Sequence, residues 1–418
     1  MRILWFTNDL EPGIARALGM HASVSGGWMW ALAERLCTRK DTVVALATAV
    51  PGVMKNRLQQ QSIAQYLIPQ RNGQHAFAHT EADLKQASDI VRDFQPDVIH
   101  VHGTERFYGL LRQTLDPKIP IVISIQGLLS RYCPFIFADM SLPEKFATMR
   151  LRDLLRGKGP VFHYKCWQDA SRREAMVLET NRYFIGRTEW DRSWVMAHNS
   201  SARYYFCNEA LREPFFEERW DLSKIRRNSI LFTSAQNPLK GVYTLLDAIA
   251  ILRRWQVPVT LQLAGDWIPR GEWGRPVVRR ISRLGLNESV EFLGALDAPS
   301  LAKHMSTAHL FVSPSHIDNS SNSVMEAMAV GLPCVASFVG GLTTILQSGK
   351  LGLAVPPGDA AMLASAVQRL LSDDDLAVSL SHSAREVAHT RNDSVAITER
   401  QLEIYSDVIE DARCGSQN

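Results

Sequence analysis

Nowhere in the 418 residues does an apolar run approach the roughly 18 consecutive side chains of a membrane-spanning helix. The N-terminus, Met-Arg-Ile-Leu-Trp-Phe-Thr-Asn-Asp, holds an apolar stretch too short for a secretory signal and reads better as a first strand. Cysteine is sparse. Cys37, Cys133, Cys166, Cys207, Cys334 and Cys414 are scattered with no Cys-x-x-Cys pair, which fits a reducing compartment and thiols that fill cores. His163 lies three before Cys166 without a second ligand pair, so zinc is poorly supported. A net charge of +3 is too small to draw the chain to nucleic acid, and no such partner is expected. There is no GxGxxG, no P-loop, no GxSxG and no Asp-x-Asp at a strand end, which removes the main support for dinucleotide, NTPase and serine-hydrolase chemistry. A metal-independent reaction without a cofactor is expected. The expected location is the cytoplasm, at most peripheral on the inner face of the cell membrane.

What is present is an ordinary globular composition, 46% hydrophobic and 21% charged, long enough for two cores. Residues 3–6, 42–46, 97–101 and 119–125 are β-rich and continuously apolar, as strands buried on both faces should be. Helical patterns alternate with them, one through Trp28, Leu32 and Leu36, another through Leu84, Ala87, Val91 and Phe94. Strand-helix-strand repetition of this kind specifies a parallel, doubly wound sheet. The pattern breaks between 131 and 175, returns at 182–185, and passes a charged, aromatic connection at 208–219. A second series follows with strands at 229–232, 259–264, 290–293, 309–312, 334–337 and 352–355. The expected fold is α/β with two Rossmann-like halves, residues 1–215 and 216–393. A last helix over 394–418 carries Ile397, Leu402, Tyr405, Val408 and Ile409 and needs a surface to cover, which the first domain could supply.

Two carboxylates stand eight positions apart in Asp318-Asn-Ser-Ser-Asn-Ser-Val-Met-Glu326, across a polar turn that opens a helix. Ala-Met-Ala-Val-Gly331-Leu-Pro333 and the pair Gly340-Gly341 follow. Such a turn offers N–H donors to anionic oxygens, and the carboxylates accept from hydroxyls. Glu326 has a structural alternative: Ser323-Val-Met-Glu326 reads as a capping box with Glu at N3. Asp318 alone would pass for a solvated turn residue. Lys240-Gly241 follows the first strand of the second series, where a lysine faces the crevice and can neutralise a diphosphate; the alternative is a solvated lysine beside a turn glycine. Gly26-Gly27 precedes a helix in the first half. His100 and His102 share one side of a strand end, with a crevice-lining or satisfied core role.

Taken in order, these pieces resemble the retaining glycosyltransferases of the GT-B fold, glycosyltransferase family four, of the type that builds bacterial surface polysaccharides. The resemblance spans nearly the whole chain and is most specific over 229–359, from Lys240-Gly241 through Leu263-Ala-Gly265, Val290-Glu-Phe-Leu-Gly294, Phe311-Val-Ser-Pro314-Ser315 and Asp318 to Glu326, then Gly340-Gly341 and Gly352 to Gly358. Gly26-Gly27, the strand around His100 and Arg187-Thr-Glu-Trp-Asp191 are similar to the family's N-terminal half. The resemblance implies two domains facing a cleft, with the last helix returning to the first, acceptor-side domain. It implies that Glu326 holds the ribose hydroxyls and that Asp318 with Ser321, Asn322, Ser323 and Val324 meets the donor sugar and phosphates. Lys240, beside Gly241, would take the diphosphate charge with help from Gly26 and Gly27, while Gln126 and Arg187 would line the cleft with His100 and His102. Three departures stand out: Asp318 where Glu is usual, Gln236-Asn237 where an arginine is usual, and Gln126 where a histidine is usual.

The implied reaction moves a sugar from a nucleoside-diphosphate sugar to a glycan or lipid-linked acceptor with retention. Its rivals are an epimerase acting on a sugar nucleotide in the same architecture, and a non-catalytic subunit that only binds one. Lys145, Arg150, Arg152, Arg156 and Lys158 interleave with apolar residues, which reads either as a solvated basic helix or as an interfacial segment on anionic lipid.

Overall fold

The computed structural model describes residues 1–20, 27–53, 57–60, 63–70, 77–149, 159–265, 268–269 and 271–414. They form two compact units. The first comprises Met1–Ser130, Cys166–Ala210 and Asn392–Asn418, the second Arg131–Lys165 and Leu211–Arg391. Arg131–Lys165 therefore groups with the second unit, whereas the reading from sequence put it in the first domain.

The first unit holds an eight-stranded sheet. Its strands are β1 (Arg2–Phe6), β2 (Val43–Pro51), β3 (Arg57–Gln60), β4 (Ile63–Gln70), β5 (Val98–His102), β6 (Ile121–Ser124), β7 (Tyr183–Gly186) and β8 (Arg203–Phe206). They lie in the order β3-β4-β2-β1-β5-β6-β7-β8, and β3 alone is antiparallel to its neighbour. The period-2 alternation of a strand divides its residues between two cores. Leu4 and Phe6 of β1 face Val91 and Phe94 of the helix Glu81–Phe94. Ile3 and Trp5 face Leu32 and Leu36 of the helix Gly27–Cys37 and Ile404, Tyr405 and Val408 of the last helix, Ser394–Cys414. That last helix is fastened at both ends of its stripe. The Tyr405 hydroxyl accepts from Trp5 Nε1 at 2.9 Å and meets His100 Nδ1 at 2.6 Å. Asp411 accepts from the Tyr183 hydroxyl at 2.7 Å and pairs with Arg182 and Arg203.

In the second unit, β9 (Ser229–Phe232), β10 (Thr260–Ala264), β11 (Val290–Gly294), β12 (Leu310–Ser313), β13 (Cys334–Ser337) and β14 (Leu353–Val355) form an all-parallel sheet in the order β11-β10-β9-β12-β13-β14. Ile230 and Phe232 point to the helices Val242–Arg254 and Ala360–Ser372. Leu231 and Phe311 point to Asn322–Val330 and Asp374–Arg391. Both sheets are doubly wound parallel sheets with one antiparallel edge between them, as expected from the continuous apolar runs.

Candidate functional site

The order of the second sheet locates its crevice. Chain leaving β9 runs to β10 on one side, and chain leaving β12 runs to β13 on the other. Between those adjacent strands the connections diverge at the carboxyl ends, the place where open α/β sheets bind ligands. Lys240 and Asp318 lie on these two loops.

Two glycines set how closely the loops approach. Gly241 has φ +80°, and a Cβ there would lie 1.9 Å from the Pro314 carbonyl oxygen. Gly340 has φ +49°, and a Cβ there would lie 2.1 Å from the Asp318 carbonyl oxygen. No other residue type fits either place. The His316 amide donates to the Leu239 carbonyl at 2.9 Å, and the Gly341 amide to the Asp318 carbonyl at 3.0 Å. Held in this way, Asp318 is buried, and its Oδ2 accepts from Lys240 Nζ at 2.7 Å and from Ser315 Oγ at 3.2 Å. The departures near Lys240 have structural roles. The Asn237 side chain caps the turn Pro238–Lys240 by accepting from the Leu239 amide, and the Gln236 side chain accepts from the Ile268 amide.

Beyond Asp318 the helix Asn322–Val330 begins, with Ser321 as N-cap and no side-chain cap bond. The amides of Asn322, Ser323 and Val324 fall in its first turn, where N–H groups have no intrahelical carbonyl and the dipole favours an anion. Glu326 is the fifth residue of this helix, so the capping-box alternative fails. Its carboxylate turns instead to Arg212, accepting on Oε1 from Nε at 3.1 Å and Nη2 at 2.6 Å. Burial pushes the Glu326 carboxyl up, and Arg212 opposes that shift.

Further residues frame the site that the sequence did not single out. His316 Nε2 meets Asp139 Oδ2 at 2.9 Å, Asp139 also accepts from Thr244 Oγ1, and the Tyr132 hydroxyl accepts from the Asn319 amide at 3.1 Å. Burial works to raise the Asp139 carboxyl, but its bonds to His316 and Thr244 win and hold it below its usual value. Arg212 sits in the stretch read as a connection, and Tyr132 and Asp139 in the stretch read as irregular. Only their neighbours in space mark them.

In the first unit, His100, His102, Gln126 and Arg187 line one recess with Trp28, Ser124 and Glu209. It has room for a water. His100 is satisfied by Tyr405 and by Ser124 Oγ at 2.5 Å. Arg187 pairs with Glu209 and donates to the Gln126 carbonyl at 3.2 Å. His102 is buried with neither ring nitrogen hydrogen-bonded among the described residues, and burial pulls its pKa down to about 3. Three residues past it, after Gly103 and Thr104, burial pushes the Glu105 carboxyl up to about 7, while Asn8 Nδ2 donates to it at 3.1 Å. Gly27 opens the helix Gly27–Cys37, and Gly26 lies outside the described residues.

Residues 227–373 match the family model described as glycosyl transferases group 1. The match lies within the second unit, and the chain has the GT-B fold. Within this unit the match takes in Lys240, Asp318, the first turn after Ser321, and Glu326. A curated D-inositol 3-phosphate glycosyltransferase of Jonesia denitrificans is 36% identical over 186 residues, 41% of this chain and 42% of that protein. The alignment thus spans well under half the length of that relative. An alpha-D-kanosaminyltransferase of Streptomyces kanamyceticus is 25% identical over 74% of this chain and 77% of its own. Among solved structures, sucrose-phosphate synthase from Thermosynechococcus elongatus aligns over 98% of this chain and 99% of its own with TM-score 0.74 at 19% identity. HepE of Anabaena, in complex with UDP and glucose, aligns over 97% and 99% with TM-score 0.68, also at 19% identity. At these identities the structural likeness speaks for the fold.

Proposed function

We propose that this protein is a glycosyltransferase that moves a sugar from a nucleoside-diphosphate sugar to a glycan or lipid-linked glycan acceptor, with retention and without a metal ion. The observation that carries the reading is Lys240, held by Asp318 at the switch point of the second sheet, beside the open first turn of the helix Asn322–Val330. Breaking the anomeric C–O bond leaves its electron pair on the departing diphosphate. Lys240 and the first-turn amides supply fixed positive potential for that charge, each donor worth roughly a few kcal/mol in a dry site. Asp318 holds the ammonium in place and meets the sugar, and Glu326 takes the ribose hydroxyls. The group 1 family match and the UDP-bound structural neighbour support a nucleotide donor. Retention rests on the family resemblance, and metal independence on the lack of an Asp-x-Asp at a strand end.

A peripheral place on anionic membrane is part of the proposal. Leu142 and Phe146, one helical turn apart on Leu142–Ala147 beside Lys145, are 70% and 65% exposed, an apolar edge suited to an interface. Arg150, Arg152, Arg156 and Lys158 lie outside the described residues. A second reading, binding without transfer, has its support in Gln236 and Asn237, whose side chains serve backbone amides rather than a phosphate.

A thermal-shift screen of UDP, GDP and ADP with their sugars tests the donor, since a ligand of the native state raises its melting temperature. Transfer or donor hydrolysis in the presence of EDTA then separates enzyme from binder. Lys240→Ala is expected to lower turnover by about 10²–10³ with a smaller loss of nucleotide affinity; undiminished turnover would remove the proposed electrophile.

A further inference from the structure

The two acidic groups of the nucleotide site are held differently, and Glu326 is held by a residue from outside the motif. Arg212 directs both Nε and Nη2 to one oxygen of Glu326, Oε1. The other oxygen takes no hydrogen bond from the described residues and is not sealed among the buried orphan atoms. The guanidinium itself stands 4.9 Å over the ring of Phe215, which is fully buried, so its plane is fixed from behind. We infer that Arg212 is a positioning residue of the nucleotide site, fixing one oxygen of Glu326 so that the other is presented to the ribose hydroxyls. The inference rests on the donor reading above and names the device that prepares its ribose end.

A carboxylate this deeply buried would otherwise take up a proton, and a charged acceptor bonds a hydroxyl about twice as strongly as a neutral one. Arg212 is the group that opposes burial at Glu326. Among the described residues, the helices Ala298–Thr307, Pro214–Glu217 and Asp374–Arg391 pack against Asn322–Val330, and none of their charges acts on Glu326. Arg385 donates to the carbonyls of Phe216, Glu218 and Ala329, and His389 meets the Ala329 carbonyl. Lys303 pairs with Glu218, and neither His304 nor Glu217 contributes to the shift at Glu326. With Arg212 removed, nothing in that shell would hold the charge.

The experiment titrates UDP, GDP and ADP calorimetrically into the full-length protein, Arg212→Gln, Arg212→Lys, Glu326→Gln and the double variant R212Q/E326Q, at pH 6.5 and 8.5. For the tightest of the three nucleotides, R212Q is expected to weaken binding roughly tenfold or more at pH 6.5. The loss should be smaller at pH 8.5 than at pH 6.5, because a carboxyl that burial keeps protonated gives up its proton more readily as pH rises. R212K should recover part of it, and R212Q should change little once Glu326 is Gln. An equal loss at both pH values, persisting in the Glu326→Gln background, would overturn the inference in favour of plain structural damage or direct nucleotide contact. A parent protein that binds none of the three overturns the donor reading and the role built on it. Urea midpoints, which need no nucleotide, give a separate outcome. R212Q should be destabilised more at pH 8.5, where the buried carboxylate is unpaired, than at pH 5, and equal losses would sink the pairing itself.

Discussion

In the second unit the loop after β12 carries Asp318, closed by Lys240 and Ser315, while Glu326 is closed by Arg212. In the first unit the end of β5 carries His102 with neither ring nitrogen bonded, and Glu105 whose carboxyl titrates near neutrality. Both sites sit at carboxyl ends of parallel strands, yet in the first unit the His102 ring has no partner among the described residues. Fixed charges suit a ligand whose charge is constant, such as a diphosphate, because no reorganisation is needed when it binds. A buried polar group without a partner costs about 1–3 kcal/mol, so a ligand or water that bonds it has free energy to gain.

The contrast can be broken most forcefully at its hinge points. Gly241→Ala or Gly340→Ala should cost on the order of 3 kcal/mol or more, because each puts a Cβ within 2.1 Å of a carbonyl oxygen at positive φ. Urea unfolding would read the loss. A tolerated alanine would show that the loops around Asp318 are looser than this packing requires.

A smaller effect is expected at Glu105. Its carboxyl titrates near 7 in the folded chain, raised chiefly by burial from an ordinary value of 4.5. Between those values the folded state keeps a proton that the unfolded state has released, so stability falls as pH rises through the window. Glu105→Gln should match the parent near pH 4.5 and exceed it by at most about 3 kcal/mol above pH 7. Parallel stability profiles would show that the carboxyl is already ionised without cost. The least effect belongs to His102→Leu. Since the ring is neutral and bonded by no described residue, its removal should raise stability by about 1 kcal/mol unless a ligand or water uses it. A large loss would show that the recess is occupied in solution.

The central strands of both sheets were legible because each is a short apolar run buried on both faces. The edges were not. β8, Arg203–Phe206, has only exposed and half-buried residues, and β4, Ile63–Gln70, one strand in from the other edge, mixes Gln65 and Pro69 into its apolar residues, so neither stands out. The helix Pro160–Thr180 was hidden inside a stretch that looked irregular. It buries Val177 and Leu178 but exposes Val161, Tyr164 and Met176, which erases a clean stripe. At the site, Lys240, Asp318 and Glu326 could be named from spacing, and the structure puts the first two in contact. What spacing could not give was Arg212, 114 positions from its partner, or Asp139, 177 from His316. Contacts across such distances leave no local period to read.

Trp5 and Tyr405 share a hydrogen bond across 400 positions of chain. On a ribosome, the part of the apolar face of Trp5, Val98 and Val122 that Ile404, Tyr405 and Val408 cover must therefore wait until residues beyond 400 have emerged. A fragment cut after the first unit's leading segments would keep that sticky face for good. Expression trials that split the gene by linear order, instead of permuting the final helix to the front, should yield aggregates.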